Sequence, residues 1–186
     1  MYMTITPHQE LTFKFFFLRL ATVLVLAQSV FPSKTALGTT IKELSLNQLT
    51  NEAELIFEGR VKDRNVIREG RLITTIVTFE ILDVIKGEKN TTTLDLHFSG
   101  GELDGEVLEI TGSKIPAKSE HGIYFVESAE KNLLNPLLGW TQGHYIIKDN
   151  RAFNANVNAT PNTSDLGKTV SLDAEGFKAR LRNIAN

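Results

Sequence analysis

Leu55-Ile56-Phe57-Glu58-Gly59-Arg60-Val61 alternates strictly. Leu55, Phe57, Gly59 and Val61 fall on one side, and Ile56, Glu58, Arg60 and Lys62 on the other. A period of two with one apolar face is the mark of a β-strand. The run from Leu72 to Ile85 repeats the pattern, with Val77, Phe79 and Ile81 facing one way and Thr78 and Glu80 the other. Its parity then flips, because Leu82 and Val84 are apolar while Asp83 is polar. Two adjacent apolar residues at such a switch predict a β-bulge or a sharp bend. A strand that bends in this way lets a small sheet curl into a barrel.

The same reading extends outward in both directions. Gly70 marks a hairpin turn after residues 63–69, and Lys86-Gly87-Glu88 marks another turn. Leu94, Leu96 and Phe98 form the next inward face, with Thr93, Asp95 and His97 outward. Residues 99–105 read as a glycine-rich loop, Leu108 and Ile110 as a strand, and residues 112–120 as a second loop. Gly122-Ile123-Tyr124-Phe125-Val126 is apolar on both faces, as a covered central strand requires. Asp149-Asn150 is the turn of a last hairpin. Ser45-Leu46-Asn47-Gln48 is a capping box that opens a short helix to about Ala53. Near the other end Ala174, Phe177, Leu181 and Ile184 recur at helical spacing, with Lys178, Arg180 and Arg182 off that face. The expected fold is mainly β: a small OB-like antiparallel barrel or sandwich of six to seven strands, with a short N-terminal helix and a C-terminal amphipathic helix.

The first 29 residues read differently. Lys14 precedes an apolar stretch running from Phe15 to Ala27, broken by Arg19 and Thr22, and small residues follow. This is the layout of a secretory signal peptide, with cleavage after Ala27 or Ser29. The uninterrupted run from Leu20 to Val30 is short of the ~20 residues needed to cross a bilayer. The expected organisation is therefore a signal peptide over 1–29, a β-barrel domain over 41–154, an Asn- and Thr-rich linker over 155–170 and a helix over 171–184. The expected location is periplasmic or extracellular, with membrane contact only through the transient signal peptide. The 186 residues include no cysteine. Disulfides, thiol catalysis and zinc ribbons are excluded, and an exported domain of this kind must rest on its core. The missing disulfides also point to a bacterial source.

Ala53-Glu54-Leu55-Ile56-Phe57-Glu58-Gly59-Arg60-Val61 and Val77-Thr78-Phe79-Glu80-Ile81-Leu82-Asp83-Val84-Ile85-Lys86-Gly87 together resemble the "AD-aliphatic-GxV … VTFxVxxVxKG" pattern of uncharacterised exported bacterial β-domain proteins. Trp140-Thr141-Gln142-Gly143-His144-Tyr145 is similar to the "QGxF/Y" strand start of that group. More distantly, the first two stretches resemble the netrin-like and tissue-inhibitor-of-metalloproteinases barrel of OB type. That resemblance implies a barrel and an exported location. Inhibitors of that type chelate the protease zinc through an N-terminal cysteine, a mechanism that a cysteine-free chain cannot use.

Chemistry is sparse. His97, His121 and His144 show neither HxH nor HExxH spacing and read as exposed strand and loop residues. No GxSxG elbow is present, and Ser99 precedes an ordinary Gly-Gly loop. Glu102, Asp104, Glu106 and Glu109 read as solvated loop acids. No catalytic, cofactor-binding or metal-binding residue is assigned, and no cofactor is expected. The net charge of −2 and the mixed-sign face of Glu58, Arg60, Lys62, Thr78 and Glu80 argue against nucleic acid. The expected function is a non-enzymatic binding module for a protein partner. Its contact residues are expected in the loops at the ends of the barrel: Trp140, Gln142, Gly100 and Gly101. Two alternatives are a metal-assisted hydrolase using His97, His121 and His144, and a small-ligand carrier with an open barrel interior.

Overall fold

The computed structural model describes residues 42–88, 90–155 and 172–186. The expected signal peptide and residues 156–170 of the expected linker lie outside them. Helix α1 (Leu46–Glu52) begins on the predicted capping box: Ser45 Oγ accepts from Gln48 N, and Gln48 Oε1 accepts from Ser45 N at 3.0 Å. Strands β1 (Leu55–Glu69) and β2 (Leu72–Lys86) form a long hairpin. β3 (Thr93–Ser99), β4 (Gly101–Leu103), β5 (Glu106–Leu108) and β6 (His121–Val126) follow. A 3-10 turn (Trp140–Gly143) leads into β7 (His144–Lys148) and β8 (Arg151–Asn154), and β9 (Leu172–Asp173) leads into α2 (Ala174–Ala185).

The main sheet is antiparallel, in the order β3-β2-β1-β6-β7-β8-β9, and β4-β5 forms a small separate sheet. The mainly β class with flanking helices is as expected. A closed barrel is not seen, because the outermost strands β3 and β9 do not pair with each other among the described residues. Two further expectations change. Residues 63–69 continue β1, and the expected loop at 99–105 contains β4 and a turn at Asp104-Gly105, both with positive φ, which suits a tight hairpin.

The bulge prediction holds. Along β1 the partners on β2 run Lys86, Val84, Asp83, Ile81, so Ile85 and Leu82 are extra residues; beyond Val61, Lys62 is the extra residue on β1. Each bulge adds twist and returns alternation to the opposite parity. The sheet is thereby covered on both faces. Leu55, Phe57, Val61, Val77, Phe79, Leu96, Phe98 and Tyr124 pack on one face. The rings of Phe57, Phe79 and Tyr124 lie with centroids 4.6–5.5 Å apart and fill the concavity. On the other face Ile56, Ile123 and Phe125 pack against Leu49 of α1 and Phe177 and Leu181 of α2.

Lys86 joins the hairpin to α1. Its Nζ donates to the carbonyls of Thr50, Asn51 and Ala53 at 2.7–2.8 Å. The last carbonyls of a helix have no intrahelical donor, and a cation there also opposes the negative end of the helix dipole. Gly87 then passes so close to Glu54 that a Cβ would lie 2.6 Å from its carbonyl oxygen, at a φ of +85°. Lys86→Met is expected to lower stability by about 2 kcal/mol, the scale of a charge-assisted hydrogen bond lost to part-buried helix-end carbonyls. Chemical denaturation checks this, with Lys62→Met, an exposed neighbour, expected to be nearly neutral.

Candidate functional site

The titratable groups of the core gather along β1, β2, β6 and α2. Glu58 sits on the outer face of β1, opposite Asp83 of β2 and beside Ile123 of β6. Its Oε1 lies 2.7 Å from His121 Nε2, and its Oε2 accepts from Lys178 Nζ at 2.6 Å. Lys178 also contacts Asp83 at 3.3 Å and Glu175 at 2.7 Å, and Arg182 closes on both Asp83 oxygens at 2.7 Å. Lys178 and Arg182 stand one helical turn apart on α2, so one helix edge delivers both cations to the two strand carboxylates. The sequence reading set both off the docking face. Lys178 is instead buried, because its stem lies along the apolar seam while its ammonium reaches Glu58.

A second cluster lies under the first turn of β6. Glu120 Oε1 sits 2.6 Å from His144 Nε2 and accepts from Tyr124 Oη at 3.2 Å. His144 is fully buried, contrary to the expected exposed position, because β7 places it opposite Tyr124 with the two rings 5.3 Å apart. A carboxylate can only accept here, so Nε2 carries a hydrogen that it donates to Glu120. Nδ1 then faces the core without a partner among the described residues.

The three histidines do not converge. His97 is exposed on β3 and faces Glu69 at 3.7 Å, His121 faces Glu58, and His144 faces Glu120. Among the described residues no three His, Asp or Glu side chains are arranged to hold a metal ion. Burial raises the Asp83 carboxyl, but the Arg182 and Lys178 hydrogen bonds and charges outweigh it and bring it below the usual range. Burial likewise raises Glu120, and the contact with His144 more than offsets it. Burial would lower Lys178, yet hydrogen bonds to Glu175 and Glu58 hold it well above its ordinary value. Burial and Glu120 push the Tyr124 hydroxyl far up, so it stays protonated. Every group is engaged with another, and the arrangement clamps α2 and β7 to the sheet.

The residues expected to contact a partner occupy two places. Gln142 ties the segment before α1 in place: its Oε1 accepts from Leu44 N at 2.7 Å and its Nε2 donates to the Lys42 carbonyl at 3.0 Å. Trp140 is half-buried and opens the 3-10 turn in the left-handed region, at a φ of 59°. Gly100 and Gly101 line a cleft of about 670 Å3 between residues 99–101, β5 and the strandless residues 109–115. Gly100 is held by a bond from its N to the Ile73 carbonyl and by Thr75 Oγ1 on its own carbonyl, both 2.7 Å. A Cβ on Gly101 would come within 2.6 Å of Thr75 Oγ1, so only glycine fits that wall. Val107 lines the cleft and is 60% exposed. The sequence located the two glycines but not the cleft: Ile110, expected to continue the strand, lies beyond the end of β5, and residues 111–115 carry no periodic pattern.

The ion network sets the pH dependence of stability. Asp83 and Glu120 are lowered on folding, so their contribution is present above their unfolded values near pH 4 and is lost as pH falls through the folded values. Lys178 is raised, so its contribution is complete below about pH 10 and is lost as pH rises through its folded value. Melting temperature against pH is expected to fall at both extremes. Lys178→Met is expected to cost about 3 kcal/mol near neutrality, since Glu58 and Asp83 then lose their shared cation. The same variant should abolish much of the alkaline loss. No protein-family model, no curated protein and no solved structure matches this chain.

Proposed function

We propose that the chain is an exported, non-catalytic module that binds a protein partner in the cleft between β5 and residues 109–115. The cleft carries this reading. Its volume of about 670 Å3 is in the range of ordinary ligand pockets, and an apolar side chain at its mouth is exposed. Gly100 and Gly101 contribute backbone to one wall and are fixed there by their close packing on Leu108 and Thr75. The buried titratable groups are committed to one another elsewhere, and the charged residues that line the cleft, Glu109 and Lys114, offer one group of each sign to a bound segment. Four aromatic residues, Phe57, Phe79, Phe98 and Tyr124, fill the concavity of the sheet and favour a solid scaffold over a carrier. Export rests on the N-terminal signal pattern and on the resemblance to exported bacterial β-domain proteins.

Two measurements test the two parts. A photoreactive phenylalanine analogue in place of Val107 is expected to cross-link one discrete partner in the native envelope fraction. The same analogue at Leu82, exposed on β2, is expected to give none. Equal labelling from both positions would sink the cleft reading. Terminal sequencing of the native protein is expected to begin after Ala27 or Ser29, and an uncut N-terminus in the cytoplasm would sink export.

A further inference from the structure

β3 ends the sheet, and its outer edge is open in a narrow window. Gly100 N donates to Ile73 O and Ile81 N donates to Thr92 O, so even-numbered positions from 92 to 100 turn their polar groups towards β2. The N–H and C=O groups of Thr93, Asp95, His97 and Ser99 therefore point away from the sheet. Two of these positions are engaged: Ser99 N donates to Leu134 O at 2.8 Å, and Thr91 Oγ1 donates to Thr93 O at 2.8 Å. Among the described residues Asp95 and His97 have no partner on that edge.

Natural edge strands are blunted by lysine, proline, bulges or inward charges. β3 has none of these. Its register with β2 is unbroken over seven pairs, from Thr74↔Ser99 to Glu80↔Thr93, and its inward residues are Leu94, Leu96 and Phe98. Its two charged or titratable residues, Asp95 and His97, flank Leu96 symmetrically and are exposed on the opposite face.

We infer that β3 pairs with β3 of a second copy of this chain, antiparallel, with Leu96 on the two-fold axis. Leu96 then faces its own copy as a non-hydrogen-bonded pair. Asp95 faces His97 of the other copy, and His97 faces Asp95, as hydrogen-bonded pairs. The open N–H and C=O groups of both residues are satisfied reciprocally, giving four backbone hydrogen bonds. An acid meets a histidine on each side of the axis, and opposite charges across strands are favourable where like charges are not. A one-residue slip in either direction would set inward-facing side chains against exposed ones and lose both pairs. Thr93 O and Ser99 N are already occupied, so fully reciprocal pairing ends at Asp95 and His97. An isologous contact of this kind makes a closed dimer rather than a filament.

Sedimentation equilibrium of the full chain from micromolar to submillimolar concentration is expected to show a reversible monomer–dimer transition. His97→Glu sets two pairs of acids face to face and is expected to raise the dissociation constant about tenfold. The double exchange Asp95→His with His97→Asp keeps the complementarity and is expected to restore it. His97 also faces Glu69 of its own chain at 3.7 Å, and the double exchange, which likewise puts an acid at 97, controls for that contact: it should share any change in melting temperature with His97→Glu but not the loss of dimer. Hydrogen exchange provides a second measurement, with the Asp95 and His97 amides expected to slow as concentration rises while the Leu94 and Leu96 amides, already bonded to β2, are unchanged. A monomer at every concentration would overturn the inference, as would a dimer indifferent to His97→Glu.

Discussion

The structure depends on what happens to Glu58. Alternation along β1 sends Leu55, Phe57 and Val61 into the concave core and Ile56 into the core beneath the helices. The same alternation places Glu58 next to Ile56 on a face that α2 covers. An ionised carboxylate taken out of water costs several kcal/mol unless it is paired and hydrogen-bonded. The partner does not come from β1 or β2, where Lys86 caps α1 and the other cations lie on exposed positions, so α2 supplies it. Lys178 answers Glu58 and Asp83 together, and Arg182 completes Asp83. Phe177 and Leu181 supply the apolar contact that brings α2 down, and the cations fix its rotation and its register along the sheet.

The bulges serve the same end. Asp83 can stand opposite Glu58 only because Leu82 and Ile85 are left as extra residues on β2. Without them, unbroken alternation from Phe79 and Ile81 would carry Asp83 and Ile85 onto the concave face, away from Glu58 and the helices. With them, Ile85 joins the helix-covered core, and Lys86 reaches the carbonyl end of α1. A single irregular stretch thus supplies the bend of the sheet, the counterpart acid and the helix cap.

Much of this was legible. Period-two alternation marked β1, β2 and β3; a short run apolar on both faces marked β6; the parity switch marked the bulges; Ser45 and Gln48 marked the start of α1. These are short-range signals, in which one residue constrains its near neighbours. The Val-x-Lys-Gly stretch that ends β2 could be read as a turn, but its second role could not, because the carbonyls that Lys86 serves lie more than thirty residues earlier. The buried position of His144 was hidden for the same reason. Its sequence neighbours are Gly143 and Tyr145, and its burial comes from facing Tyr124 across a strand pair and Glu120 beyond it. Lys178 and Arg182 looked like the solvent side of an amphipathic helix, since helical periodicity weighs hydropathy and cannot see a carboxylate waiting on another strand. Openness of the sheet was equally unreadable, because closure depends on how β3 and β9 meet and not on any segment alone.

The division of labour across the molecule follows from these constraints. One face of the sheet is consumed by aromatic packing and the other by helices and ion pairs, so neither face is left to meet a ligand. What remains is the periphery: the glycine wall and exposed Val107 at one end, and the unblunted edge of β3. Both present backbone groups and modest apolar area rather than reactive side chains. A scaffold whose titratable residues are already matched to one another can hold such surfaces rigid, and rigidity lowers the entropy lost on association. Releasing Glu58 or Asp83 would unpair a charge and loosen α2, and releasing Glu120 would do the same to β7, so these groups serve the scaffold first.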